Sequence, residues 1–323
     1  MTRRKATTKK PDAILTADWH IRPDTPECRT DDYFAAMERK IDFILELSKE
    51  YDCPILIAGD IGNKPGDKEN KVNDNSWPPW LLRWAISKFE GHEIIVIPGQ
   101  HDLPNHQLNL WERSGVGVLH AAGAIELIGT EAHFPIASHF ETFGIIPFPY
   151  GIPIKSFDWD KYKKPDILII SMTHQPVIEN KPRWPDDNAP VGHSLLKQFP
   201  EYQLILTGDN HIPFVAEYEG RILVNPGSIM RNTADQEDHK PRVYVWYSEE
   251  NTAVPVYLPI EQNVITRKHI DFAQARDQRF DAFVTRVKQD IEIQLSYENN
   301  LEKYFKKYRT EKPVVEKTWA MVK

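Results

Sequence analysis

The sequence predicts an α/β fold, and three observations lead there. Short apolar runs alternate with longer amphipathic stretches through the first half of the chain, the pattern of βα units. The second half turns to closely spaced β-type segments and then to a long, charged helical pattern. Five of the buried runs end, at their C-terminal edge, in loops that hold Asp, His or amide side chains.

The elements follow in order. Residues 13–17 (AILTA) form a continuous apolar run, the mark of a strand covered on both faces. Residues 31–50 repeat apolar side chains at helical spacing through Phe34, Met37, Ile41, Ile44, Leu45 and Leu47. Residues 54–58 give a second strand, 79–88 a helix, and 93–97 a third strand. Two more buried strands are expected at 167–171 and 204–207. Segments 214–218, 221–224, 242–247 and 253–257 read as a run of strands. From 270 to about 308 the pattern is one long helix or a broken pair, with Phe272, Phe280, Phe283, Val287, Ile291 and Leu295 along one stripe. Three segments result: a basic leader (1–12), a main domain (13–267) and a helical extension (268–323), the last either a reduced cap or a partner-docking element.

Composition narrows the classes. A chain of 323 residues with 41% hydrophobic and 27% charged side chains has the material for a substantial core. Two cysteines, Cys28 and Cys53, argue against a disulfide framework or a thiolate metal site. The formal charge of −7 weakens broad adhesion to polyanions, although bound cations would reverse the local field at a phosphate site. No apolar run reaches the roughly 18 residues of a membrane span. The basic leader lacks the apolar stretch of a signal peptide, so the expectation is a cytoplasmic protein without membrane contact.

The strand-end loops carry the chemistry. In order they read Asp18-Trp19-His20, Gly59-Asp60, Gly99-Gln100-His101-Asp102, Thr173-His174 and Gly208-Asp209-Asn210-His211. Any one of these is an ordinary turn. Five in succession are not, because ligands in open α/β sheets gather beyond the carboxyl ends of strands. A pair of divalent ions about 3.5–4 Å apart needs a bridging carboxylate, flanking ligands and an open position for water. Water shared by two cations loses its proton near neutral pH and becomes a nucleophile.

The order D-x-H, GD, G-(N/Q)-H-D, H, G-x-x-H resembles the calcineurin-like metallophosphoesterases, whose usual pattern is DxH, GD, GNH(D/E), H, GHxH. The resemblance covers residues 13 to about 228 and implies a four-layer α-β-β-α sandwich. It implies that Asp18, His20, Asp60 and His211 hold a first metal, with Asp60 as bridge. It places Gln100, His174 and Asp209, again with Asp60, on a second. His101 matches the histidine that protonates the leaving oxygen or steadies transition-state charge, and Asp102 orients its loop. Three positions depart from the pattern: Gln100 replaces Asn, Asp209 replaces His, and Asn63 stands where many relatives carry Asp or His. Gln100 keeps the amide oxygen one methylene further out and Asp209 turns a nitrogen donor into an anionic oxygen, so Mn²⁺ is the first expectation for the pair of ions, with Mg²⁺ and Fe²⁺ as alternatives.

Downstream, Val224-Asn225-Pro226-Gly227-Ser228, an acidic loop and a closing strand are similar to the SbcD-type DNA-repair nucleases. That resemblance implies Mn²⁺-dependent cleavage of DNA and a partner ATPase of the SMC-like SbcC type, docked on the C-terminal helix. A homodimer is a further assembly open to the chain. Two other readings fit the same residues: a small-molecule phosphodiesterase or nucleotide phosphatase, and a non-catalytic scaffold with a degenerate second metal site. Trp19 and Trp77 are the candidates for stacking on bases, whereas Trp80 and Trp84, at helical spacing, are expected in the core.

Overall fold

The computed structural model describes residues 9–63, 77–131, 133–136, 142–157, 167–180 and 188–322. Most of the basic leader, residues 1–8, lies outside them. The chain divides into two compact units at Thr266/Arg267.

Two six-stranded sheets build the first unit. Strands β1 (Ala13–Thr16), β2 (Ile55–Ile57), β3 (Ile94–Val96) and β4 (Glu126–Leu127) pair in parallel, and β11 (Arg242–Tyr247) and β12 (Thr252–Tyr257) extend that sheet antiparallel beyond β1. The second sheet runs in the order β5 (His133–Ile136), β6 (Phe143–Phe148), β7 (Leu168–Thr173), β8 (Leu204–Thr207), β10 (Arg221–Asn225) and β9 (Phe214–Tyr218).

Strand alternation explains the layering. On β1, Ala13 and Leu15 enter the core between the sheets, where they meet Ile170, Met172, Leu204 and Leu206. Ile14, between them, faces the opposite way into a core covered by helices α1 (Tyr33–Tyr51), α2 (Pro79–Phe89) and α3 (Gly115–Ala121). On the second sheet Ile169, Ile205 and Leu223 face outward beneath helix α4 (Gly192–Gln198). Helices, sheet, sheet and helix form the four layers of an α-β-β-α sandwich.

The helices follow from local chemistry. Asp32 caps α1 by accepting the Ala35 N–H at 3.0 Å, and Asp52 closes it in the left-handed conformation, φ 55°. Met37, Ile41, Ile44 and Leu45 form its buried stripe. Proline at the start of α2 suits a position whose N–H would lack a partner, and Leu81, Ala85 and Phe89 recur every fourth residue on its buried face.

Strand β6 (FGIIPF) escapes the sequence reading because internal Gly and Pro argue against a central strand. It is nevertheless paired on both sides, antiparallel to β5 and parallel to β7. Strands β4 and β5 and helices α3 and α4 are too short to leave a periodic signal.

The second unit holds the broken pair expected over 270–308, α5 (Lys268–Leu295) and α6 (Tyr297–Lys307), and a third helix beyond it, α7 (Lys312–Val322). Ser296 ends α5 and caps α6, its hydroxyl accepting the Asn299 N–H at 3.2 Å. The Phe305 and Trp319 rings meet edge to face, 6.2 Å apart, and join α6 to α7. No helix among the described residues is long and apolar enough to cross a membrane.

One buried cation stands out on α1. Lys40 is 3% exposed and donates to the Ile229 carbonyl at 2.9 Å. Burial, with Arg29 and Arg231 nearby, pulls its pKa from 10.5 down to about 7. Between those values the unfolded chain holds a proton that the folded chain has released, so this group's contribution to stability grows as pH rises through the interval. Thermal melts from pH 7 to 9 are therefore expected to show wild type gaining stability relative to Lys40→Met, and parallel curves for the two proteins would contradict this.

Candidate metal centre

The parallel strands point their C-terminal ends to one edge, and the five loops meet there. The Asp18 N–H donates to Gly59 O at 3.1 Å, the His20 N–H to Asp60 O at 3.0 Å, and the Gly208 N–H to Thr173 O at 3.1 Å. The first loop is thus tied to the second, and the fourth to the fifth, by the sheet's own hydrogen-bond pattern continued past the strand ends. Asp18, His20, Asp60 and Asp209 all hold left-handed backbone, φ 47–73°. Such conformations are uncommon outside glycine and cluster at functional sites.

Glycine is required where the loops cross. A Cβ on Gly59, whose φ is 87°, would lie 2.2 Å from His174 Nδ1. One on Gly99 would lie 2.2 Å from Asp60 Oδ1. These close approaches account for the glycine before Asp60 and before Gln100.

The donor atoms form overlapping groups. His20 Nε2 and His211 Nε2 are 3.0 Å apart, and each is 3.8 Å from Asp18 Oδ1. Asp60 Oδ2 lies 3.3 Å from His174 Nε2 and 4.0 Å from His101 Nε2. Asp18, Asp60 and His174 can share one ion, as can His20, Asp60 and His101, so Asp60 stands between the clusters. Gln100 turns its amide oxygen to His174 Nε2 (3.1 Å) and its amide nitrogen to Asp209 Oδ1 (2.6 Å).

The electrostatics fit a bound cation pair. Asp60 is fully buried, and its Oδ2 has no hydrogen-bond partner among the described residues. Burial alone would raise its pKa, but His174 first, then His20 and His101, hold it well below the usual carboxylate range. Burial also acts on His174, yet Asp60, Asp18 and Asp209 outweigh it and raise that imidazole to about 10. Asp18 is raised by burial and by the neighbouring carboxylates. Burial lowers His20 and His211, keeping their imidazoles neutral and able to ligate. Two imidazole nitrogens facing one another beside carboxylate oxygens are the donor set of a transition-metal site.

The structure brings together Asp18, His20, Asp60, Gln100, His101, His174, Asp209 and His211 from loops far apart in sequence. Asp102 sits behind them, 2% exposed, and accepts N–H groups from Gly62 (2.8 Å), Gly99 (2.9 Å) and Ile61 (3.4 Å). It laces the Asp60 loop to the His101 loop and is a positioning residue. Asn63 is half-buried and bonded through its N–H to Ile21 O, and among the described residues no hydrogen bond joins it to His101.

The tryptophans correct the sequence reading. Trp19 is fully buried: it alternates with Asp18 and His20, so its indole points inward, donates to Thr16 Oγ1 at 2.9 Å and packs on Phe89. Trp77 is 6% exposed and wedged against Gly62 and Gly115. Neither can stack on a base. Trp80, expected in the core, is 51% exposed with its edge on Phe34, and Trp84 is half-buried, its indole N–H donating to Glu38. Helical spacing placed both on a face that Phe34 covers only in part.

Sequence reasoning gave no role to Asn225. Its side-chain amide donates to Asn210 O (2.7 Å) and Ile212 O (2.8 Å), fixing the loop that carries His211 from both sides. The available signal was a polar side chain closing the apolar run of β10, directly before Pro226-Gly227.

Residues 13–213 match the calcineurin-like phosphoesterases. The chain belongs to that family. Its members hydrolyse phosphoesters with divalent metals, and the ligand groups described above are this chain's counterpart. No curated protein matched the chain. Among solved structures, it is similar to an archaeal phosphodiesterase (11% identity, 76% of this chain and 99% of that one, TM-score 0.38). It is also similar to the phosphopantetheinyl hydrolase of Mycobacterium tuberculosis (12% identity, 76% and 96%, TM-score 0.44). A third is a hypothetical protein of Pyrococcus horikoshii (14% identity, 82% and 94%, TM-score 0.39).

Two outcomes follow for this metallophosphoesterase. Calorimetric titration with Mn²⁺ should find about two ions per chain, none tightly held in Asp60→Ala, and one retained in His20→Ala; unchanged binding in Asp60→Ala would remove it as the bridge. Asp102→Asn sets an amide NH₂ among backbone donors, so denaturant unfolding should show a loss of about 1–3 kcal/mol, and an unchanged midpoint would deny the lacing role.

Proposed function

We propose that this phosphoesterase is a Mn²⁺-dependent DNA nuclease of the SbcD-like kind, cutting phosphodiester bonds at the edge where the five loops meet. The observation that carries the reading is the convergence of eight donor side chains on a surface-facing edge. His101 and His211 show about a third of their side chains to solvent, 32% and 35%, while Asp18, Asp60 and His174 lie beneath them. A phosphate within a polymer can reach such a site without entering a closed pocket.

Bound divalent ions supply Lewis acidity for the phosphoryl oxygens and an acidified water as nucleophile. The chain's own residues do the rest. Asp60, kept anionic by its histidine neighbours, fixes the centre of the ligand set and accepts the His101 N–H at 2.7 Å, which sets the start of the His101 loop. His101 then stands at the solvent side of Asp60, placed to give a proton to the departing oxygen or to hold its charge. Asp209 offers an oxygen donor where relatives carry a His nitrogen, and Gln100 keeps the amide oxygen of Asn, which favours Mn²⁺ over Zn²⁺. The segment from Val224 to Ser228 and the closing strand after it support DNA as the ester.

Incubation with Mn²⁺ and labelled duplex DNA, single-stranded DNA and bis-p-nitrophenyl phosphate tests the reading. Cleavage of DNA is expected, with kcat lowered about 10²–10⁴-fold in His101→Ala. Turnover of the small ester with DNA untouched would replace the nuclease reading with a small-molecule phosphodiesterase. No turnover by folded, metal-loaded protein would end the enzymatic one.

A further inference from the structure

The loop that carries Gln100 and His101 continues into a segment the centre itself does not use. Asn105 and His106 both hold left-handed backbone, φ 53° and 57°, two non-glycine residues in succession. That conformation folds His106 back so that its Nδ1 lies 3.0 Å from the Gln100 carbonyl oxygen. Its ring lies 6.0 Å from that of Tyr150, tilted by 54°. Tyr150 is anchored to the same loop, because its N–H donates to Pro98 O at 3.0 Å. His106 is exposed and Tyr150 half-buried, so core packing does not explain the arrangement.

Left-handed backbone at successive side-chain-bearing residues persists only when its surroundings enforce it, and such strain collects at functional sites. Here it holds the His106 ring against Tyr150, which its own bond to Pro98 O fixes beside the reacting edge. Rings fixed in advance lose little freedom on binding, which suits them to stacking on a flat group. The buried Trp19 and Trp77 cannot serve this purpose.

We propose that His106 and Tyr150 form a platform for a nucleobase of the phosphodiester, which stacks on one ring and meets the edge of the other, setting a preference for nucleoside over alkyl esters. The proposal deepens the phosphodiesterase reading and rests on it. Stacking depends on a ring face and is tolerant of base identity, so the platform selects for a base without reading its sequence.

Two esters with a common leaving group test it: thymidine 5′-(p-nitrophenyl phosphate) and methyl p-nitrophenyl phosphate. Wild type should show the lower KM for the thymidine ester. In His106→Asn, which tolerates left-handed backbone and can still hydrogen-bond Gln100 but has no aromatic ring, the thymidine-to-methyl KM ratio should rise about tenfold. Tyr150→Leu should do the same, and Tyr150→Phe, which keeps the ring, should restore the wild-type ratio. A ratio unchanged in both His106→Asn and Tyr150→Leu overturns the platform. So does a fall in kcat for both esters at constant ratio, which would mean that His106 only braces the Gln100 loop. If wild type hydrolyses neither ester, the phosphodiesterase reading has failed. Calorimetric binding of thymidine 5′-monophosphate against methyl phosphate to Mn²⁺-loaded wild type and the same variants then decides the platform by itself.

Discussion

The Asp60 carboxylate, sunk in the protein among three imidazoles, is the constraint around which the rest of the site is arranged. A bare carboxylate at that depth would take up a proton, and this one stays ionised chiefly because the His174 imidazole, itself raised by its carboxylate neighbours, lies against it. Its two oxygens have separate duties. Oδ1 accepts the His101 N–H and so fixes the neighbouring loop, while Oδ2 faces the histidine ring nitrogens with no hydrogen-bond partner among the described residues. The glycines at positions 59 and 99 exist to let backbone pass within contact distance of that carboxylate and of His174.

Asp102 completes the arrangement from behind. Burial and the nearby Asp60 charge raise its pKa to about 7, against three backbone N–H groups that favour its anion. Asp60 and Asp102 lie close together in a buried region, and main-chain N–H groups bond to both, His101 to Asp60 and Gly62, Gly99 and Ile61 to Asp102.

The departures from the family pattern form a connected unit. Gln100 reaches one methylene further than asparagine, and its amide spans from His174 to Asp209, the residue that replaces a histidine. A longer amide on one loop and a shorter anionic side chain on the opposite loop compensate in reach. The 2.6 Å contact between them joins the loops after β3 and β8 where the family pattern has Asn and His.

By itself the sequence determined the alternation of strands and helices, the order of the strand-end motifs, and the identity of the ligand candidates. Those features are local: an apolar run, a glycine before an aspartate, a histidine at fixed spacing. Tertiary structure alone decided the rest. Strand β6 forms despite Gly144 and Pro147 because β5 and β7 flank it, and pairing on two sides outweighs weak propensity. Trp19 turned out to be core because alternation along a strand end sends it opposite to Asp18 and His20, whereas its place between two ligand candidates had suggested a stacking ring. Asn225 gained its role only when the chain returned beside Asn210 and Ile212. Which side chains meet across nearly two hundred positions is set by sheet register and long-range packing, and neither is encoded in the spacing of neighbouring residues.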